Sequence, residues 1–126
     1  MPTCLMPLFK YASINGRASR SEFFGFNLIV LLTMSGALGA MLLADAKEMT
    51  EVGTVFMWAA IAIALGAVVP MGAMGVRRMH DRGLSGWWQL LTFVPVIGGL
   101  LWLVLTALRG TQGHNRYGPD PLLPDD

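Results

Sequence analysis

The chain has 126 residues, of which 54% are apolar and only 13% charged, about half the roughly 25% charged fraction of an ordinary soluble domain. No charge lies between Glu22 and Asp45, between Glu51 and Arg77, or between Arg82 and Arg109. A soluble single domain is excluded on that ground, because its helices would need a polar face for water. The net charge of +1 averages a basic and an acidic set kept apart along the chain.

Residues 1–22 form an amphiphilic lead with Leu5, Met6, Leu8, Phe9 and Tyr11 on its apolar side. Lys10 and the turn-prone Asn15-Gly16 interrupt it, so it is expected to lie along the headgroups. Cys4 is the single cysteine, so an intramolecular disulfide is excluded, and no apolar stretch precedes it as a lipoprotein signal requires. Ser19-Arg20-Ser21-Glu22 reads as a capping box, in which Ser19 accepts from the amide three residues on and Glu22 reaches back to the amide of Ser19. A first transmembrane helix then spans 23–44, with Asn27 its one strongly polar side chain. It is too long for the roughly 7–15-residue apolar region of a signal peptide, despite the small residues of Ala44-Asp45-Ala46.

Residues 45–51 make an acidic loop, with Asp45, Glu48 and Glu51 against Lys47. The second transmembrane helix spans 52–76. Its small residues four apart, Ala60 with Ala64 and Ala62 with Gly66, predict close backbone approach, and Pro70 predicts a kink. A basic turn, 77–83, follows with Arg77, Arg78, His80, Asp81 and Arg82. The third apolar segment, 84–108, is interrupted by Pro95 and Gly98-Gly99, which is compatible with a kinked span or with a re-entrant helical hairpin. Residues 109–126 are a polar, turn-rich tail. The expected fold is therefore a single all-α membrane domain over 1–126: an integral membrane helical bundle with two full transmembrane helices, the Pro/Gly-interrupted third segment and a polar C-terminal tail.

Cytoplasmic loops carry excess Lys and Arg. Two crossings put the basic lead and the basic turn on one side, so the amino terminus is expected in the cytoplasm, with Trp87 and Trp88 at headgroup level. A crossing third segment would leave six basic residues inside and three outside; a hairpin would leave eight and one. The hairpin gives the cleaner partition.

Three blocks, FKYASINGRASRSEFFGF, RRMHDRGLSGWWQLL and GTQGHNRYGPDP, occur in an order that resembles the YhaH-like family of small bacterial inner-membrane proteins, domain of unknown function 805. The resemblance covers nearly the whole chain. Phe24 stands where the family often has Trp, and Met79 where Leu is usual. It implies a multi-pass protein of the bacterial inner membrane and leaves the biochemical activity unknown.

Neighbouring residues on a helix diverge by about 100°, so His80 and Asp81 do not form a ready acid–base pair. Ser85 reads as loop material, and no nucleophile stands out. No enzyme activity and no catalytic residue are expected. His80, His114 and Cys4 lack metal-ligand spacing, and GTQG is too short for a phosphate loop, so neither metal nor cofactor is expected. What remains is Arg17, Arg20, Arg77, Arg78, Arg82 and Arg116 around one surface, with Glu22, Asp81 and Asp120 as partners and His80 and Asn115 beside them. That set is either a structural ion-pair network or a binding site for anionic headgroups. The expected function is binding, of anionic lipid or of a partner membrane protein, with a homo-oligomer as a further partner and no nucleic acid. The alternative is a subunit of an oligomeric transporter or channel, which the lack of ionisable residues within the spans disfavours.

Overall fold

Ser19 starts the first long helix. In the computed structural model, which describes residues 6–123, its hydroxyl accepts from the Glu22 amide at 3.1 Å. Only that half of the expected box forms, because the Glu22 carboxylate is taken by Arg77 at 2.7 Å. The described residues hold five helices: α1 (Met6–Phe9), α2 (Arg20–Ala46), α3 (Thr50–Asp81), α4 (Trp88–Leu91) and α5 (Gly98–Ala107). Cys4 and Leu5 lie outside the described residues.

The helices α2 and α3 are both longer than the expected 23–44 and 52–76, and α3 differs instructively. It runs on through Arg77–Asp81, so most of the expected basic turn is the last turn of a helix. The chain leaves it at Arg82 and Gly83, the glycine supplying a left-handed φ of 72°. A helix packed with cations holds there because each of Arg77, Arg78, His80 and Asp81 meets a partner inside the fold.

Of the small residues expected to let α3 approach a neighbour, the seam with α2 uses Ala60. Gly53, Ala60 and Ala67 of α3 are buried, whereas Ala62, Ala64 and Gly66 are exposed. Seven-residue spacing keeps one stripe facing a neighbour that crosses at a shallow angle, where four-residue spacing drifts around the helix. At the seam's far end a Cβ on Gly53 would lie 2.5 Å from Asp45 Oδ1, so the small residue lets the two helix ends meet.

Pro70 lies inside α3. Having no N–H, it leaves the carbonyl of Gly66 without its helical donor. Tyr11 replaces that donor, its hydroxyl reaching the Gly66 oxygen at 2.7 Å. The lead therefore folds back along the helices instead of lying flat at the headgroups, since Gly66 is about 16 Å down the helix axis from Arg77.

Segment 84–108 goes out and returns. It turns over at Pro95-Val96-Ile97, where Val96 takes a φ of 72°. The Gly98 amide donates to Val94 at 2.7 Å, and a Cβ on Gly98 would lie 2.2 Å from the Thr92 oxygen. The ten-residue α5 is about 15 Å long, half the roughly 30 Å of a bilayer's hydrocarbon core. Its last carbonyls arrive beside Arg78. Both ends of the segment thus lie at the same end of the bundle as Ala18 and the tail.

The core of buried apolar residues, Ala18, Phe23, Phe26 and Met74 with Val30, Met71 and Trp102 against them, sits directly below this charged end. Away from it, the apolar side chains of α2 and α3 are mostly exposed, and both helices are long and apolar enough to cross a membrane.

Candidate functional site

Three arginines are buried at the charged end. Arg17 arrives on the stretch of lead just before α2; Arg77 and Arg78 arrive on the last turns of α3. Asp81, one turn after Arg77 and Arg78, is buried among them. Its carboxylate takes Arg17 on one oxygen, at 2.8 Å, and Arg78 on the other. This is the ion-pair arrangement that lets two guanidinium groups and one carboxylate share a dry site.

The remaining N–H groups go to backbone carbonyls. Arg17 donates to Gly113 and Thr111, each at 2.5 Å. Arg78 donates to Thr106 at 3.0 Å, Ala18 at 3.2 Å and Leu108 at 2.5 Å. One arginine thus joins the lead and the end of α5 to α3, and the other joins the tail to it. Lysine could not serve these acceptors, because its single ammonium lacks the planar fork. The backbone adds two further clasps: Ala18 N–H to the Arg77 carbonyl at 3.1 Å, and Thr111 N–H to the Asp81 carbonyl at 2.8 Å. Arg77 is held differently. Its Nη1 meets Glu22, while Nε and Nη2 are buried without a protein partner.

Around this cage the tail forms a small cover. Asn115 donates to the His80 carbonyl at 3.0 Å and to Thr111 Oγ1 at 2.8 Å, and its own oxygen accepts from the Tyr117 amide at 2.9 Å. Tyr117 stacks flat on His80 with ring centroids 3.9 Å apart, and the Arg116 guanidinium lies 4.7 Å from the Tyr117 ring centre. His80 and Asp81 do not pair with each other. Nδ1 of His80 faces the Gly16 carbonyl at 3.1 Å instead.

Asp120, expected opposite an arginine, instead caps backbone, accepting from the Gly113 amide at 3.0 Å and the Leu122 amide at 2.9 Å. Those two bonds, Leu122 first, hold its carboxyl below the usual carboxylate range. The Arg17 donors are already used by Asp81 and by carbonyls. Arg20 reaches the Ala107 carbonyl at 3.4 Å, and Arg116 the Gly83 carbonyl at 3.4 Å, both from the exposed rim. Arg82 is half-buried, with Nη1 unpartnered.

The expected residues are therefore brought together, but in two layers. Arg17, Arg77, Arg78, Glu22 and Asp81 form the interior; Arg20, Arg82 and Arg116 lie outside it. Sequence reasoning missed Ala18, Thr106, Thr111 and Tyr117, whose roles rest largely on backbone atoms or ring stacking. Gly110 carried a signal: a Cβ there would lie 1.9 Å from Asp81 Oδ2, so the glycine after Arg109 is what lets the tail close on the carboxylate.

Comparisons with known proteins place the chain in a family. The family model described as protein of unknown function (DUF805) matches residues 11–119, which include the whole cage. Inner membrane protein YhaI of Escherichia coli (strain K12) is 36% identical over 117 residues, covering 93% of this chain and 92% of its own. Inner membrane protein YhaH of the same organism is 36% identical over 125 residues, covering 94% and 95%. No solved structure matches.

Proposed function

The chain belongs to the DUF805 family of unknown function, and from that footing we propose that it is a two-crossing inner-membrane protein that binds anionic lipid headgroups at a cytoplasmic, arginine-rich end. The observation that carries the reading is the division of the arginines. The inner three are buried within the fold, while Arg20, Arg109 and Arg116 are exposed and Arg82 is half-buried. A rigid base with a cationic rim at membrane-surface level suits headgroup phosphates, each nearby arginine contributing about 1 kcal/mol of attraction to an anionic leaflet.

The orientation follows from the same distribution. All seven arginines belong to the lead, the end of α3, the α5 terminus or the tail, whereas Lys47 lies at the opposite loop with Asp45, Glu48 and Glu51. The positive-inside tendency then favours a cytoplasmic amino terminus and a cytoplasmic tail.

The test uses the full chain purified from membranes with phosphatidylglycerol and phosphatidylethanolamine present. Retained phosphatidylglycerol should fall several-fold in a variant carrying Arg20→Gln, Arg82→Gln, Arg109→Gln and Arg116→Gln, with its thermal midpoint little changed. Unaltered retention would overturn the binding reading. In a Cys4→Ser background, a membrane-impermeant thiol reagent added outside should modify Lys47→Cys and spare Arg116→Cys; the opposite pattern overturns the orientation.

A further inference from the structure

A cleft of about 560 Å³ opens beside the cage, within the roughly 300–1,000 Å³ range of ligand sites. Gly72, Val76 and His80, four apart on α3, form one wall, and Gln89, Leu90 and Phe93 line the other. Phe93 and Leu90 are largely exposed, at 76% and 56%, so the apolar part is open to whatever surrounds the bundle. At the polar end stands the His80 ring, with Tyr117 stacked on it.

Two acceptors there stand without a donor. A carbonyl can only accept, so the contact of His80 Nδ1 with the Gly16 oxygen makes Nδ1 the protonated nitrogen. In the neutral ring Nε2 then carries a lone pair, and among the described residues it meets no partner. His80 is only 9% exposed, yet Nε2 is not among the buried atoms without a partner, so it opens onto the cleft. Gln89 repeats the pattern. Its carboxamide lies flat on Gly75, where a Cβ would be 2.3 Å from Nε2, and its Oε1 is buried without a donor.

We propose that this cleft binds a single-chain lipid whose head donates a hydrogen bond, a hydroxyl-bearing amphiphile. Its chain lies between the Gly72–Val76 wall and Leu90–Phe93, and its hydroxyl donates to His80 or Gln89. An ionised carboxylate has no proton to give these two acceptors, and a headless hydrocarbon would leave both unmet. The site adjoins the rim at Arg116, whose guanidinium lies over Tyr117, but does not rest on the reading of that rim.

Three probes with one chain and different heads test it: oleyl alcohol, methyl oleate and oleate, each isotope-labelled and bound to the detergent-solubilised full chain. Oleyl alcohol should bind at one site about tenfold more tightly than the other two, the worth of one hydrogen bond to an otherwise unmet acceptor. Gly72→Phe should abolish binding of all three with the thermal midpoint preserved, since a Cβ at Gly72 meets nothing within 4 Å and the ring would occupy the cleft. His80→Phe keeps a ring against Tyr117 but removes both nitrogens, and should bring the alcohol down to the ester; Gln89→Leu should do so in part if His80→Phe fails to fold. Equal affinity for the three heads overturns the proposal, as does a preference for oleate. Binding that survives Gly72→Phe also overturns it, and so does a wild-type dimer that fills the cleft and binds no probe.

Discussion

The two halves of α3 are packed in opposite senses. From Thr50 to Val69 most side chains are exposed, Leu65 at 69% among them, while from Ala73 to Asp81 every residue but Val76 is buried and Arg78 is 0% exposed. A soluble protein would be arranged the other way. In a bilayer an apolar side chain gains little by leaving lipid tails that are as apolar as itself, so the spans need only a seam of small residues. The charged groups have no such indifference. Each must find partners wherever water is thin, so burial collects around them, and the specific contacts of the fold concentrate at that end.

The sharpest way to break this comparison is Asp81→Asn. It leaves Arg17 and Arg78 buried without their shared counter-charge, and breaking one side of a buried ion pair costs about 3–5 kcal/mol. The thermal midpoint of the detergent-solubilised protein should fall by the largest amount of any single change described here, with the lead and tail becoming protease-sensitive together. A midpoint close to wild type would mean that the cage is not what holds this end.

A smaller effect is expected from Tyr11→Phe, which removes only a hydroxyl. It leaves the Gly66 carbonyl without either its helical donor or the substitute, at a cost of about 1–3 kcal/mol for an unmet polar group. Adding Pro70→Ala restores the missing helical N–H, so the double variant should recover the midpoint lost by Tyr11→Phe. Absence of recovery would separate Tyr11 from the proline gap.

The smallest effect belongs to Leu65→Ala. A buried leucine would lose about 2–5 kcal/mol on this change, but Leu65 faces outward, and a shift within about 0.5 kcal/mol is expected. A loss of buried-leucine size, seen as a matching fall in midpoint, would mean that this face is covered by protein rather than lipid.

Much of the fold was legible because membrane helices announce themselves by contiguous residues. The uncharged runs after Glu22 and after Glu51 located α2 and α3, and Ser19 marked where α2 begins. Their ends were less legible: RRMHD reads locally as a loop-like charge cluster, and only its partners make it helical. Segment 84–108 left two shapes open, since Pro95 and Gly98-Gly99 are compatible with a kink or a reversal; the return of Thr106 and Leu108 to Arg78 distinguishes them. The cluster's membership was readable from its arginines, but not its two layers, because Arg17 and Arg20 differ in burial and not in chemistry.

The sequence by itself determined the class of molecule, the two long apolar helices, the gathering of arginine away from the acidic loop, and the family. Those properties are sums over neighbouring residues, and hydropathy and charge add up without regard to what the chain meets later. Tertiary structure decided which arginines are spent and which remain outward, that Asp120 serves amides, that Tyr11 answers the gap at Pro70, and that His80 stands over a cleft. The acceptors that settle these matters are mostly backbone carbonyls, such as those of Gly113 and Thr111 for Arg17, 96 and 94 positions away. Every residue carries such a carbonyl, so no residue type marks the ones that folding will bring to an arginine.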